Sequence, residues 1–102
     1  MNLETRVDET LFKVVDEVNQ LLPREAHLEK SMEESLTGPQ AKIDSLGLIN
    51  FILTSEKMVQ EEFGKRIILT DGAALIKSDD ITLTIGTVKN YICKRLVKKE
   101  DE

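Results

Sequence analysis

The sequence has no Trp, one Cys, one His and two Pro, and its aromatic side chains are confined to Phe12, Phe51, Phe63 and Tyr91. A single thiol, Cys93, excludes an internal disulfide framework and fits a reducing compartment. A lone His27 with no Cys or second His at ligand spacing gives no metal site and no acid–base pair, so it is read as a surface histidine. No segment approaches the roughly 20 consecutive apolar residues that cross a bilayer. The opening stretch MNLETRVDET lacks the apolar run of a signal peptide, so the expectation is a soluble, cytoplasmic chain. No Gly-rich phosphate cradle, internal repeat or low-complexity tract occurs.

What is present is aliphatic and acidic. The 102 residues suffice for one domain, with a core expected over about 5–97 and a charged tail at 98–102. The formal net charge of −5 repels nucleic acid and anionic membrane surfaces. It favours partners that present Lys and Arg. Lys94, Arg95, Lys98 and Lys99 cluster near the end, but Glu100, Asp101 and Glu102 follow at once.

Three helical segments can be read. Val7, Leu11, Val14, Val15, Val18 and Leu22 recur at spacings of three and four, which predicts a first helix over about 5–22, with Thr5 as a cap and Pro23 as its stop. From Arg24 to Ile43 the period fades into a long surface loop, with room for a helical turn or two between Glu29 and Leu36. A second helix is predicted from Asp44-Ser45 to Phe63, stopped by Gly64, with Leu46, Ile49, Ile52, Leu53, Val59 and Phe63 inward and Glu56, Lys57, Gln60 and Glu61 outward. The stretch from Thr54 to Lys57 is expected to be poorly buried. Ile67-Ile68-Leu69 reads as an extended connector, because no second strand exists to pair with it. Thr70-Asp71-Gly72 reads as a turn, Ala73 to Lys77 as a single helical turn, and Ser78-Asp79-Asp80 as exposed. The last helix is predicted over about 84–97, with Thr84 as cap, a Leu83/Val88 staple and an inner stripe of Ile85, Val88, Ile92 and Leu96. The fold class is all-α: a small bundle of three or four helices, without a sheet.

No constellation points to an enzyme. Cys93 lies between core positions and has no neighbouring base, so it reads as a partly buried structural thiol. The one segment with chemical content is Ile43-Asp44-Ser45-Leu46, where the long loop meets an apolar helix. Asp or Ser there also suits a helix cap. Asp44-Ser45-Leu46 is followed, however, by an aliphatic helix running into Glu61-Glu62-Phe63-Gly64, then by Ile67, by Thr84-Ile85-Gly86 and by Tyr91-Ile92.

That ordered set, from Leu36 to Ile92, resembles the acyl carrier protein family. The resemblance implies a helical bundle whose Asp-Ser-Leu serine, here Ser45, is esterified to 4'-phosphopantetheine taken from coenzyme A. It implies no catalytic residue in the chain itself. The expected partners are a phosphopantetheinyl transferase and acyl-loading and acyl-transfer enzymes with basic docking patches, met by a monomer through Asp44, Leu46, Gly47, Ile49, Asn50, Glu56, Glu61 and Glu62. A phosphodiester at Ser45 would lie beside the unpaired N–H groups and the positive dipole end of the helix. The departures are also specific. Positions that are commonly acidic in fatty-acid carriers are Gly47 and Asn50 here, Ala41-Lys42 replaces the usual Leu-Gly pair, and the segments from Ser45 to Phe63 and from Ile67 to Ile85 are longer than usual. These departures imply a dedicated carrier in a secondary pathway rather than central fatty-acid biosynthesis, and Gly47→Asp with Asn50→Glu is expected to restore charge-steered docking. The alternatives are an unmodified helical interaction module with the carrier fold, or a carrier of aminoacyl or peptidyl groups.

Overall fold

Asn2 opens the first helix, α1 (Leu3–Asn19), by accepting the Thr5 N–H on its side-chain oxygen at 2.8 Å. The cap is therefore three residues earlier than Thr5, which instead supplies a donor in the first turn. Val7, Leu11, Val14, Val15 and Val18 form the buried stripe, joined by Thr10, whose hydroxyl donates to the Arg6 carbonyl at 2.8 Å. The helix stops at Asn19, ahead of the predicted end near Leu22. Asn19 turns its amide onto the returning chain, donating to the Leu28 carbonyl at 3.0 Å and accepting the Leu28 N–H at 2.8 Å. Gln20, Leu21 and Leu22 then close short i→i−3 turns.

A computed structural model of the chain describes residues 2–69 and 83–100, with the side chains of 97–100 outside that description. The expected turn at Thr70-Asp71-Gly72, the helical turn at Ala73 to Lys77 and the exposed Ser78-Asp79-Asp80 lie outside the described residues.

The segment from Gln20 to Asp44 carries one 3-10 turn, Arg24–Ala26, and no helix between Glu29 and Leu36. Its order comes from burial of Leu28, Leu36 and Ile43 and from bonds to the start of the last helix. Leu36 N–H donates to the Leu83 carbonyl at 2.6 Å, Ile85 N–H to Glu34 at 3.1 Å and Gly86 N–H to Met32 at 2.8 Å, around an isolated antiparallel bridge between Ser35 and Thr84. Glycine at 86 suits this approach, because a Cβ would stand 3.0 Å from the Met32 carbonyl oxygen, tighter than ordinary contact.

The second helix, α2 (Ser45–Phe63), has the predicted bounds: Asp44 caps its start and Gly64, at φ 69°, ends it in the left-handed region. The third, α3 (Ile85–Glu100), is capped by Thr84, whose hydroxyl accepts the Thr87 N–H at 3.1 Å. Leu83 and Val88 are both buried, as a staple requires, and Ile85, Val88, Ile92 and Leu96 form the inner stripe. Lys94 and Arg95 are exposed on the outer side of α3. Both α2 and α3 pack against α1. Leu69 and Ile67 reach the core from the extended connector after α2, which forms no strand. The described residues thus form an all-α bundle of three helices with no sheet.

One part of the predicted core is wrong. Leu46, Ile49 and Leu53 are not inward; they are 67%, 49% and 50% exposed. The buried arc of α2 consists of Gly47, Phe51, Ile52, Ser55 and Val59. Within Thr54 to Lys57, expected to be poorly buried, Lys57 is exposed and Thr54 and Glu56 are half-buried, but Ser55 is fully buried and its hydroxyl donates to the Phe51 carbonyl at 2.8 Å.

Candidate functional site

Ser45 is exposed at the first position of α2. Extended backbone at Asp44 (φ −94°, ψ −170°) sets the chain direction just before the helix. Asp44 Oδ1 accepts the Gly47 N–H at 3.0 Å, and the Asp44 carbonyl accepts the Leu48 N–H at 2.9 Å. The N–H groups of Ser45 and Leu46 have no acceptor within the helix, as at any helix start, and they form the positive end of its dipole. Ser45 is thus a solvent-exposed serine at the start of a capped helix. Asp44, the nearest carboxylate in sequence, is engaged as the cap.

Leu46, Ile49 and Leu53 follow Ser45 as one exposed row at spacings of three and four, and Lys57 and Gln60 continue it. Leu46 and Ile49 are among the expected recognition residues, yet the periodicity places all three inward, because α2 carries two apolar arcs and periodicity favours neither. A usable signal was the placement of the small residues. Gly47 and Ser55 lie on the arc that meets the rest of the bundle, where bulk must be low.

The predicted recognition residues separate into groups. Asp44, Leu46, Ile49 and half-buried Asn50 gather within the first two turns around Ser45. Gly47 offers no surface: it is buried, and a Cβ there would meet Ile43 Cβ at 2.9 Å. The expectation that Gly47→Asp would restore a docking carboxylate is therefore incorrect, because that side chain would be driven into Ile43. Glu56 is half-buried and accepts the Leu69 N–H at 2.6 Å, which ties it to the connector. Glu61 and Glu62 are exposed but stand about 24 Å along the helix from Ser45, at 1.5 Å per residue. The Glu62 carbonyl receives Arg6 at 3.3 Å, and the Arg6 guanidinium lies 4.5 Å from the Phe63 ring centroid.

Away from this end, Lys89 on α3 approaches Asp8 at 3.0 Å and Glu4 at 3.9 Å on α1. The hydrogen bond to Asp8 pushes the Lys89 ammonium above its ordinary pKa against the opposing effect of burial, with the charges of Asp8 and Glu4 adding to the rise. Cys93, one turn further along, is half-buried; burial pushes its thiol up, only partly offset by Lys89. His27 is exposed, with Nε2 3.1 Å from the Leu22 carbonyl. Among the described residues no group of three or more His, Cys, Asp and Glu side chains could hold a metal ion, and no helix is long and apolar enough to cross a membrane. The geometry is that of a small helical protein module with an exposed serine and an exposed aliphatic row at one end. Compared with family models, curated proteins and solved structures, the chain matches none.

Proposed function

We propose that the chain is a carrier whose Ser45 takes up a 4'-phosphopantetheine arm and presents acyl groups, held as thioesters, to partner enzymes. The observation that supports this reading is an exposed serine at the first position of an Asp-capped helix, with the aliphatic row Leu46, Ile49 and Leu53 beginning at the next residue. In the loading step the Ser45 oxygen forms a phosphodiester with the pantetheine phosphate while the pyrophosphate bond of coenzyme A breaks. The nucleotide half departs, and a transferase takes the hydroxyl proton. The arm, once attached, supplies the thiol chemistry. The chain supplies a rigid attachment point, two N–H donors toward the phosphate and a surface for the partner. The thin acidic surface near Ser45, with Gly47 buried and Glu56 tied to the connector, favours a dedicated pathway over central fatty-acid synthesis.

The second reading is an unmodified interaction module. It draws on the same row, since an exposed aliphatic stripe serves docking without any arm. One experiment separates the two. Incubation with coenzyme A, magnesium and several phosphopantetheinyl transferases, followed by intact-mass spectrometry, should show one added arm on the wild type and none on Ser45→Ala. Absence of addition with every transferase leaves the module.

A further inference from the structure

The aliphatic row on α2 ends at a groove. Leu53, Glu56, Lys57 and Gln60 of α2 face Arg66 and Ile68 of the connector across a cavity of about 380 Å³. That volume lies at the small end of the range in which ligand sites fall, about 300–1,000 Å³. Leu53 and Ile68 supply apolar surface. Lys57 and Arg66 have no ion-pair partner among the described residues. Among the described residues of the lining Glu56 is the only carboxylate, and it is held against the Leu69 N–H at 2.6 Å. Two cations against one carboxylate give the described lining one positive charge in excess, on a chain whose formal net charge is −5. A single anion on a short aliphatic body matches this lining in charge and in apolar surface.

We propose that this groove binds the carboxylate-bearing end of a short aliphatic ligand, with the carboxylate at Lys57 and Arg66 and the methylenes on Leu53 and Ile68. Gln60 offers a further amide donor. Leu53 lies eight residues from Ser45, about 12 Å along the helix, and Leu46 and Ile49 fill the interval with exposed apolar surface. On the carrier reading, on which this extension rests, the ligand is the far end of the cargo: an acyl group joined to the arm at one end and carrying a free carboxylate at the other.

The test uses the unmodified full chain, so it does not depend on loading Ser45. Monomethyl adipate serves as probe, with its ester standing in for the thioester, and dimethyl adipate is the uncharged control. In a 1H–15N titration the half-ester should give saturable shifts at Leu53, Lys57, Gln60, Arg66, Ile67 and Ile68, and should bind several-fold tighter than the diester. Lys57→Gln and Arg66→Gln, both at exposed positions, should each weaken the half-ester by up to about fivefold while leaving the diester unchanged. Equal binding of the two esters, shifts away from the groove, or no saturable shifts at all would overturn the proposal. Binding of the half-ester by a chain that no transferase modifies keeps the groove and removes the carrier reading. Modification of Ser45 without half-ester binding does the reverse.

Discussion

Gly47→Ala is the most informative single substitution near Ser45, because two large effects oppose each other there. In an unobstructed helix interior, alanine is favoured over glycine by about 1 kcal/mol. Gly47 has no such freedom: an added Cβ would stand 2.9 Å from Ile43 Cβ and 3.3 Å from its Cγ2. Cβ is fixed to the backbone, so the clash cannot be relieved by turning a side chain; either α2 or the loop before it has to move. Overpacking of this kind costs about 1–3 kcal/mol. Moving Ile43 also disturbs its neighbour Asp44, whose carboxylate oxygen would be 3.7 Å from the new methyl and already caps Gly47 N–H at 3.0 Å. The net expectation is a loss of about 1 kcal/mol, which for a domain of this size lowers Tm by about 4–8 °C. Thermal and urea unfolding should both show it, with the urea midpoint reduced and the slope unchanged. Gly47→Asp should lose more, since a carboxylate would be pressed into a buried position. A variant Gly47→Ala that is more stable than wild type by the full propensity gain would refute the packing geometry at this end of α2.

Three further outcomes are expected. Asp44→Ala removes the α2 cap and should cost about 1 kcal/mol by urea unfolding, with Asp44→Ser recovering most of it, whereas an unchanged midpoint would mean the cap is idle. Lys89 and Cys93 both have pKa values raised in the fold, so each binds its proton more tightly folded than unfolded. Stability should therefore fall as pH rises from about 9 through the lysine range, and Lys89→Met should flatten the upper part of that fall in a pH series of urea midpoints. Cys93 should react with iodoacetamide at pH 8 more slowly than a free thiol and reach the free rate in denaturant; equal rates in the folded chain would contradict the half-buried, protonated thiol.

Helix bounds set by local chemistry were legible in the sequence. Asp44, Gly64 and Thr84 act within three or four residues of themselves, and each is the terminus residue it was expected to be. The α1 face was legible too, because Val7, Leu11, Val14, Val15 and Val18 alternate with charged residues that leave one choice of inner side. The end of α1 was not legible. It coincides with the Asn19–Leu28 pairing, nine residues apart, which no local pattern encodes. The order of the loop before α2 likewise rests on bonds such as Leu36 to Leu83, between segments far apart in sequence. At the candidate site, the position of Ser45 on α2 was readable from the motif and its cap. The burial of Gly47 and the tether on Glu56 were not, since Ile43 and Leu69 supply them through tertiary contact.

The exposed row on α2 follows from a competition between its two apolar arcs. One arc offers Leu46, Ile49 and Leu53, all bulky and uninterrupted. The other offers Phe51, Ile52 and Val59 together with Gly47 and Ser55, and it is this arc that is buried. Helices pack with axes about 8–10 Å apart only where the side chains between them permit it. Gly47 lets the start of α2 close on Ile43, and Ser55, fully buried, satisfies its hydroxyl on the Phe51 carbonyl of its own helix. The arc with two small residues can therefore come closest, while the bulkier one stays out. Once α2 is seated this way, Leu46, Ile49 and Leu53 do little for the core, although full burial of each would be worth about 1.5–3 kcal/mol. A helix built only for stability would carry polar residues there, as α1 does at Lys13, Asp16 and Glu17. The apolar row starts at the residue after Ser45 and runs to the groove at Lys57 and Arg66. On the proposed carrier reading, a partner surface and the cargo of an arm on Ser45 would both lie along that one stripe.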